Sequence, residues 1–286
     1  SNHMALSVIK NIIDNEKVSE VLFFISLIKS SPNLIDKKIT TKFLSSESKE
    51  IKNAILIHLK HNPWIQYLDD IIFLLSDPVT KLNAQEAILA LGDVDVCEKL
   101  YDMVTDKTQD LQTRKSILEI IHYFDSENII DIMLSNMNDP ELLILKEVST
   151  GLIKISKIRS FQKIELLKID KEIQLLAKRA FQLHIFYETL HPNKTSDLIK
   201  DHIKNDLSTI IPILLRLGTL REPKVPIETY IRYIESNDPD LMPLVIELVE
   251  STFSPIAGRL TIPLIDKEIN PLNVANDLFH ENFLSE

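Results

Sequence analysis

A three-residue marker, polar then aliphatic then variable, returns along this chain at a nearly fixed interval and constrains the fold more than any other feature. It reads Glu50-Ile51-Lys52, Lys81-Leu82-Asn83, Gln112-Thr113-Arg114, Glu141-Leu142-Leu143, Glu172-Ile173-Gln174, Asp206-Leu207-Ser208 and Asp240-Leu241-Met242, at steps of 31, 31, 29, 31, 34 and 34 residues. A weaker copy begins at Lys17-Val18-Ser19. Self-similarity at a period of roughly 20–50 residues marks a repeat architecture, in which one small unit stacks on the next. The positions seven and eight after the marker's second residue are mostly apolar: Leu89 and Ala90, Ile120 and Ile121, Ala180 and Phe181, Leu214 and Leu215, Leu248 and Val249. That spacing is the buried stripe of an α-helix. Second amphipathic segments fall between these helices, at 65–75, 98–104, 129–137, 161–169 and 227–234, so each repeat reads as a helix pair.

Proline placement agrees with that reading. Ser31-Pro32, Asn62-Pro63, Asp77-Pro78, Asp139-Pro140, His191-Pro192, Glu222-Pro223, Asp238-Pro239, Ser254-Pro255 and Asn270-Pro271 stand where the pairs should turn. A side-chain cap followed by proline satisfies a helix start without needing an amide from the proline, so several of these should open helices. Pro212, Pro243 and Pro263 fall inside or near the start of helical patterns, which they should bend or trim. One helix pair cannot bury its own apolar face. Stacked pairs share a continuous core instead, and the chain is expected to be all-α, a single α-solenoid over 5–286 with about eight antiparallel helix pairs. A capping helix over 273–286 should cover the last pair, and Ser1 to Met4 reads as an expression-tag remnant.

Charge and cysteine usage narrow the role. The 32 Lys and Arg stand against 42 Asp and Glu, a net charge of -10, which opposes binding to phosphate backbones and anionic surfaces unless bases are segregated on one face. Nucleic acid is therefore the weaker expectation. No apolar run approaches the roughly 18 residues that span a bilayer, so direct membrane insertion is not expected. With Cys97 the only cysteine, no intrachain disulfide can form, and a reducing cytoplasmic compartment is the expectation.

No set of residues reads as a catalytic centre. The 4 glycines, at 92, 151, 218 and 258, are too dispersed for a phosphate loop. Cys97 lies in an apolar-flanked helix and reads as a small hydrophobe. Glu119/His122 and Glu188/His191 repeat the i,i+3 spacing of carboxylate-bundle metal ligands, but they sit at different offsets from their markers and should not converge. His58 occupies the buried stripe of its helix and reads as a core-edge histidine; Trp64, after Asn62-Pro63, reads as a packing anchor. The chain is thus expected to be no enzyme, with no cofactor and no metal.

The Asp-Pro turn, the aliphatic-polar helix start and the closing Leu-Gly, as in Asp77-Pro78 through Leu91-Gly92 and at Leu217-Gly218, resemble HEAT repeats. The C-terminal runs Leu214-Leu215-Arg216-Leu217-Gly218, Tyr230-Ile231-Arg232-Tyr233-Ile234, Ile246-Glu247-Leu248-Val249-Glu250 and Leu260-Thr261-Ile262-Pro263-Leu264-Ile265-Asp266 are similar to the cytoplasmic HEAT region of bacterial fusion proteins with an ADP/ATP-carrier-like or major-facilitator transporter half. The resemblance implies a right-handed HEAT/ARM-like superhelix serving as a scaffold or regulatory domain. It also implies a cytoplasmic place, with tethering to a membrane through a parent chain or partner.

Partner binding is expected in a groove lined by the second helix of each pair. The candidate partner-binding residues are Lys52, Arg114, Lys115, Lys146, Glu147 and Lys178. Lys115, Lys146 and Lys178 do not form a phosphate ladder: their offsets of one, three and four residues from the markers turn them up to about 160° apart. The -10 charge suits a protein partner with a basic or amphipathic helix, or the membrane part of a parent chain. The competing reading is a nucleic-acid-binding HEAT-like solenoid of the alkylated-DNA glycosylase type.

Overall fold

A computed structural model describes residues 12, 17–28, 35–92, 94–124, 129–191, 194–236, 238–266, 268–271 and 273–275. The expected turn at Ser31-Pro32, Pro192, and most of the expected capping helix over 273–286 lie outside them, as does the segment Ser1 to Met4. The described residues are all-helical, without strands. The chain divides into two compact units, 1–129 and 130–286.

Unit 1 contains α1 (Val18–Ile28), α2 (Lys37–Leu44), α3 (Lys49–His61), a 3-10 turn (Ile65–Tyr67) running into α4 (Leu68–Phe73), α5 (Lys81–Leu91), α6 (Val94–Thr105) and α7 (Leu111–Ile121). Short polar side chains start three of these helices by accepting an otherwise unpaired amide. Asp36 accepts from the Ile39 amide at 2.9 Å, Ser48 from Ile51 at 3.3 Å and Asp110 from Thr113 at 2.9 Å. Gly92 stops α5 with φ 57°, a left-handed conformation that costs a side-chain-bearing residue about 1 kcal/mol or more. The markers at 50–52, 81–83 and 112–114 fall in the first turns of α3, α5 and α7. These helices pack in succession, α1 on α3, α3 on α5 and α5 on α7, while α2, α4 and α6 pair with α3, α5 and α7 respectively.

The stripe in α5 departs from expectation. Ala84, Ala87 and Ile88 are buried, whereas Leu89 and Ala90 are half-buried and Leu82 is 66% exposed. Leu82 therefore faces outward, and the marker does not fix the inward phase in this helix.

Unit 2 contains α8 (Ile129–Ser135) from its second residue on, α9 (Leu142–Ser156), α10 (Lys163–Thr189), α11 (Lys194–Gly218), a 3-10 turn (Thr219–Arg221), α12 (Ile227–Ser236), α13 (Met242–Thr252) and α14 (Pro255–Ile265). Here the expected segmentation is corrected. The second segment expected at 161–169 and the marker helix expected from Glu172 are one helix of 27 residues, and the marker at 206–208 likewise lies inside α11. No proline or glycine stands between 163 and 189, so nothing breaks α10 at the marker. Pro212 and Pro263 are accommodated within α11 and α14, and Pro243 stands in the first turn of α13. The centre of the unit is α11, which packs on α9, α10, α12 and α14; α14 also packs on α10.

The Asp-Pro pairs act one step earlier than expected. Asp77, Asp139 and Asp238 each accept from the amide two residues on, at 2.9, 3.0 and 3.0 Å. They close turns that precede α5, α9 and α13 rather than capping them. Ser254-Pro255 is a direct helix start, with Ser254 accepting from the Ala257 amide at 3.2 Å, and helix also begins at Pro271 of the Asn270-Pro271 pair.

Candidate functional site

The six residues expected at a partner surface separate by unit and by environment. In unit 1, Lys52 is half-buried on α3 within Coulombic reach of Asp77. Arg114 is 4% exposed and its Nε donates to the Val104 carbonyl at 2.8 Å, one of the carbonyls that the end of α6 leaves without a helical partner. Lys115 is half-buried, 3.3 Å from Glu119 of its own helix. Arg114 thus ties α7 to α6, while Lys115 pairs within α7.

Polar contacts also tie the marker helices of unit 1 to one another. Lys81 of α5 reaches Glu119 of α7 at 2.7 Å, and Gln85 donates to the same carboxylate at 2.9 Å. Asn83 donates to Asn53 at 2.7 Å, and Lys60 pairs with Glu86 at 3.0 Å. Burial pushes the Glu119 carboxyl up, but the hydrogen bonds from Lys81 and Gln85 and the charges of Lys81 and Lys115 together hold it below the usual range. A small cavity under Trp64, lined by Thr40, His58, Asn62 and Tyr67 among others, has room for about one water molecule. It is far below the roughly 300 Å³ of a small-molecule pocket. Trp64 stacks on Tyr67 with ring centres 6.0 Å apart.

In unit 2, Lys146 is exposed and Glu147 half-buried on α9. Lys146 and the exposed Lys157 flank Glu228 of α12. Arg216 grips that carboxylate with two hydrogen bonds of 2.8 and 2.9 Å. The Arg216 hydrogen bonds, opposed by partial burial and assisted by the charges of Arg216, Lys146 and Lys157, hold Glu228 below the usual carboxylate range. Arg216 alone touches this carboxylate, and Lys146 and Lys157 act on it through charge. A second bidentate pair joins Arg221 to Asp170 at 3.1 and 2.7 Å, and Ser254 donates to Asp170 at 3.0 Å. Asp170 thus fixes α10 to the 3-10 turn and to the start of α14.

Lys178 belongs to a feature that the residue-by-residue reading missed. At 100° per residue, the face of α10 opposite its buried residues Ile169, Ile173, Leu176, Ala180 and Phe181 carries exposed apolar side chains and bases, with buried Ile185 also on it and Lys178 and Arg179 half-buried. Ile164, Leu167, Leu175 and Phe186 are 66, 59, 47 and 49% exposed. Lys168, Lys171, Lys178 and Arg179 lie between them, within about 60° to either side of the Ile164 direction. No acidic residue falls within that arc. Glu165 is turned aside onto Arg159 at 3.0 Å, and Asp170 is on the buried side. At one edge Lys168 pairs with Asp131 of α8 at 2.6 Å and Arg179 donates to the Pro140 carbonyl at 3.3 Å. The signal was present in the helical period. It emerges only when 163–189 is treated as one helix.

Among the described residues, no group of three or more His, Cys, Asp or Glu side chains is placed to hold a metal ion, and no helix is long and apolar enough to cross a membrane. Glu119 of the Glu119/His122 pair is committed to Lys81 and Gln85, while Cys97 is buried. No protein-family model, curated protein or solved structure matches this chain.

Proposed function

We propose that the chain is a non-catalytic HEAT-like scaffold or regulatory domain, each unit a segment of right-handed solenoid, that binds a protein partner. The observation that carries this reading is the succession α1, α3, α5, α7, in which marker-bearing helices pack one on the next while α2, α4 and α6 pair with them. Such stacking supports a repeat array, and repeat arrays present long surfaces to other proteins. Lys146, with Lys157 and the Arg216-Glu228 pair beside it, is the partner-facing position in unit 2. Lys52 has that role in unit 1. The partner is a protein whose amphipathic helix turns acidic side chains toward Lys146 and Lys157, or the membrane part of a transporter-like parent chain, and the working place is the cytoplasmic side.

Immunoblotting of fractionated native cells, followed by affinity capture with the wild-type chain and a Lys146→Glu/Lys157→Glu variant, tests it. A protein held by the wild type and lost by a variant of equal helicity, or a band much heavier than 32.9 kDa in the membrane fraction, is the expected result. A soluble band near that mass together with no charge-dependent partner overturns the proposal.

A further inference from the structure

Arg216 is buried with one nitrogen unanswered. It stands on α11 at 7% exposure and gives Nε and Nη2 to Glu228, while Nη1, buried as well, finds no acceptor among the described residues. A buried ion pair is commonly no more stable than apolar side chains of the same volume, and an unpaired buried nitrogen makes the comparison worse. Packing therefore gives no reason for this pair.

Its surroundings supply one. Lys146 and Lys157 stand eleven residues apart at the second turn and the C-cap of α9, both exposed, within about 20° of one line and about 16 Å apart along the helix. That line runs opposite the buried Val148, Leu152 and Ile155. Exposed Leu143 and Ile158 accompany the lysines at its two ends. Both α9 and α12 pack on α11, and Glu228 of α12 is within Coulombic reach of both lysines. Neither lysine touches that carboxylate, and neither has another side-chain partner among the described residues. Glu147, the next acid along α9, is half-buried and turned about 100° from Lys146.

We propose that Arg216 is a positioning residue that sets the charge of this surface: by holding both oxygens of Glu228 it keeps that carboxylate off Lys146 and Lys157, which are left to receive acidic side chains of a partner helix. The inference rests on the reading of Lys146 as the partner-facing position of unit 2. Three cations against the Glu228 carboxylate leave the cluster with a positive excess on a chain of net charge -10, and acidic side chains complement that excess. Without Arg216 the Glu228 side chain, 58% exposed, would turn to the lysines and occupy them itself.

The test is fluorescence anisotropy with a synthetic amphipathic helical peptide bearing two glutamates eleven residues apart, against the same peptide with glutamines, at ~10 mM salt. Glu228→Gln adds one unit of positive charge to the cluster, Arg216→Gln removes one, and the double variant returns to the wild-type value. The glutamate peptide should therefore bind Glu228→Gln about three-fold more tightly than wild type, Arg216→Gln about three-fold more weakly, and the double variant like wild type, with the differences shrinking as salt rises. Circular dichroism confirms that each variant is folded. A merely structural role for Arg216 predicts weak binding by both Arg216 variants and no gain from Glu228→Gln, and that result overturns the proposal; the Glu228→Gln gain is required even if Arg216→Gln does not fold. Wild-type binding that ignores the glutamates, or that Lys146→Gln/Lys157→Gln leaves unchanged, overturns the partner-facing reading and the inference with it. Binding that depends on the lysines but not on Arg216 and Glu228 overturns the inference alone.

Discussion

Replacing Gly218 by alanine sets two effects of opposite sign against each other, and the geometry decides which prevails. Gly218 ends α11 with φ -63° and ψ -34°, values open to any residue, so alanine alone would gain about 1 kcal/mol of helix propensity. The neighbouring ring reverses this. A Cβ at this position would lie 2.1 Å from Cε2, 2.2 Å from Cζ and 2.5 Å from Cδ2 of Phe253, whereas carbons in contact sit about 3.5–4.0 Å apart. The ring would have to withdraw by more than about 1 Å, and Phe253 is only 9% exposed. Overpacking typically costs about 1–3 kcal/mol, and a displacement of this size belongs at the upper end. The net expectation is a loss of about 2 kcal/mol, or about 4–8 °C in Tm for a domain of this size. In a Phe253→Leu background the obstructing ring is gone, so the same Gly218→Ala change should be neutral or stabilising by up to about 1 kcal/mol. Thermal and urea unfolding of the four proteins, followed by circular dichroism, measures the cycle. A raised Tm for Gly218→Ala alone, or an equal loss in both backgrounds, refutes the reasoning.

Two further outcomes follow from the charged contacts. Asp170→Asn removes the carboxylate that Arg221 and Ser254 share; because side-chain exposure of the pair is only 12 and 23%, urea unfolding should show a loss of about 3 kcal/mol, and a loss below about 1 kcal/mol would place it with ordinary surface pairs. Glu119 has a folded-state pKa below its unfolded value, so its contribution to stability is present above the unfolded carboxylate range and is lost as pH falls through the folded value. The stability gap between wild type and Glu119→Gln, at most about 1 kcal/mol for a pair this exposed, should therefore close as pH falls below about 4.5; a gap unchanged at acid pH contradicts that assignment.

Legibility in the sequence followed the presence of local stop signals. The markers located the starts of α3, α5, α7, α9 and α13 because caps, turns or proline-containing segments precede them. They misplaced 172–174 and 206–208 because a polar-aliphatic triplet contains no instruction to break a helix, and α10 and α11 run through both. The inward phase of α5 was lost for a related reason: which face is buried depends on α3 and α7, which pack against it, and small Ala84 and Ala87 took the inner positions that leucines were expected to fill. Buried charges were still less visible. Arg114 reads as a surface cation until α6 places the Val104 carbonyl 2.8 Å from it, and Asp170 reads as an ordinary helix-surface acid until the 3-10 turn and α14 arrive from 51 and 84 residues away.

The candidate surface illustrates the same dependence at larger scale. A whole-chain balance of 32 bases against 42 acids argues against anionic partners only if the charges are evenly mixed, and the fold unmixes them. On α10 the acids at 165 and 170 are drawn into pairs with Arg159 and Arg221, and of the bases on the outer arc Lys168 pairs with Asp131 and Arg179 donates to the Pro140 carbonyl. Net charge constrains the long-range approach of a partner, while the pairing of acids within the fold sets what a particular helix face can bind.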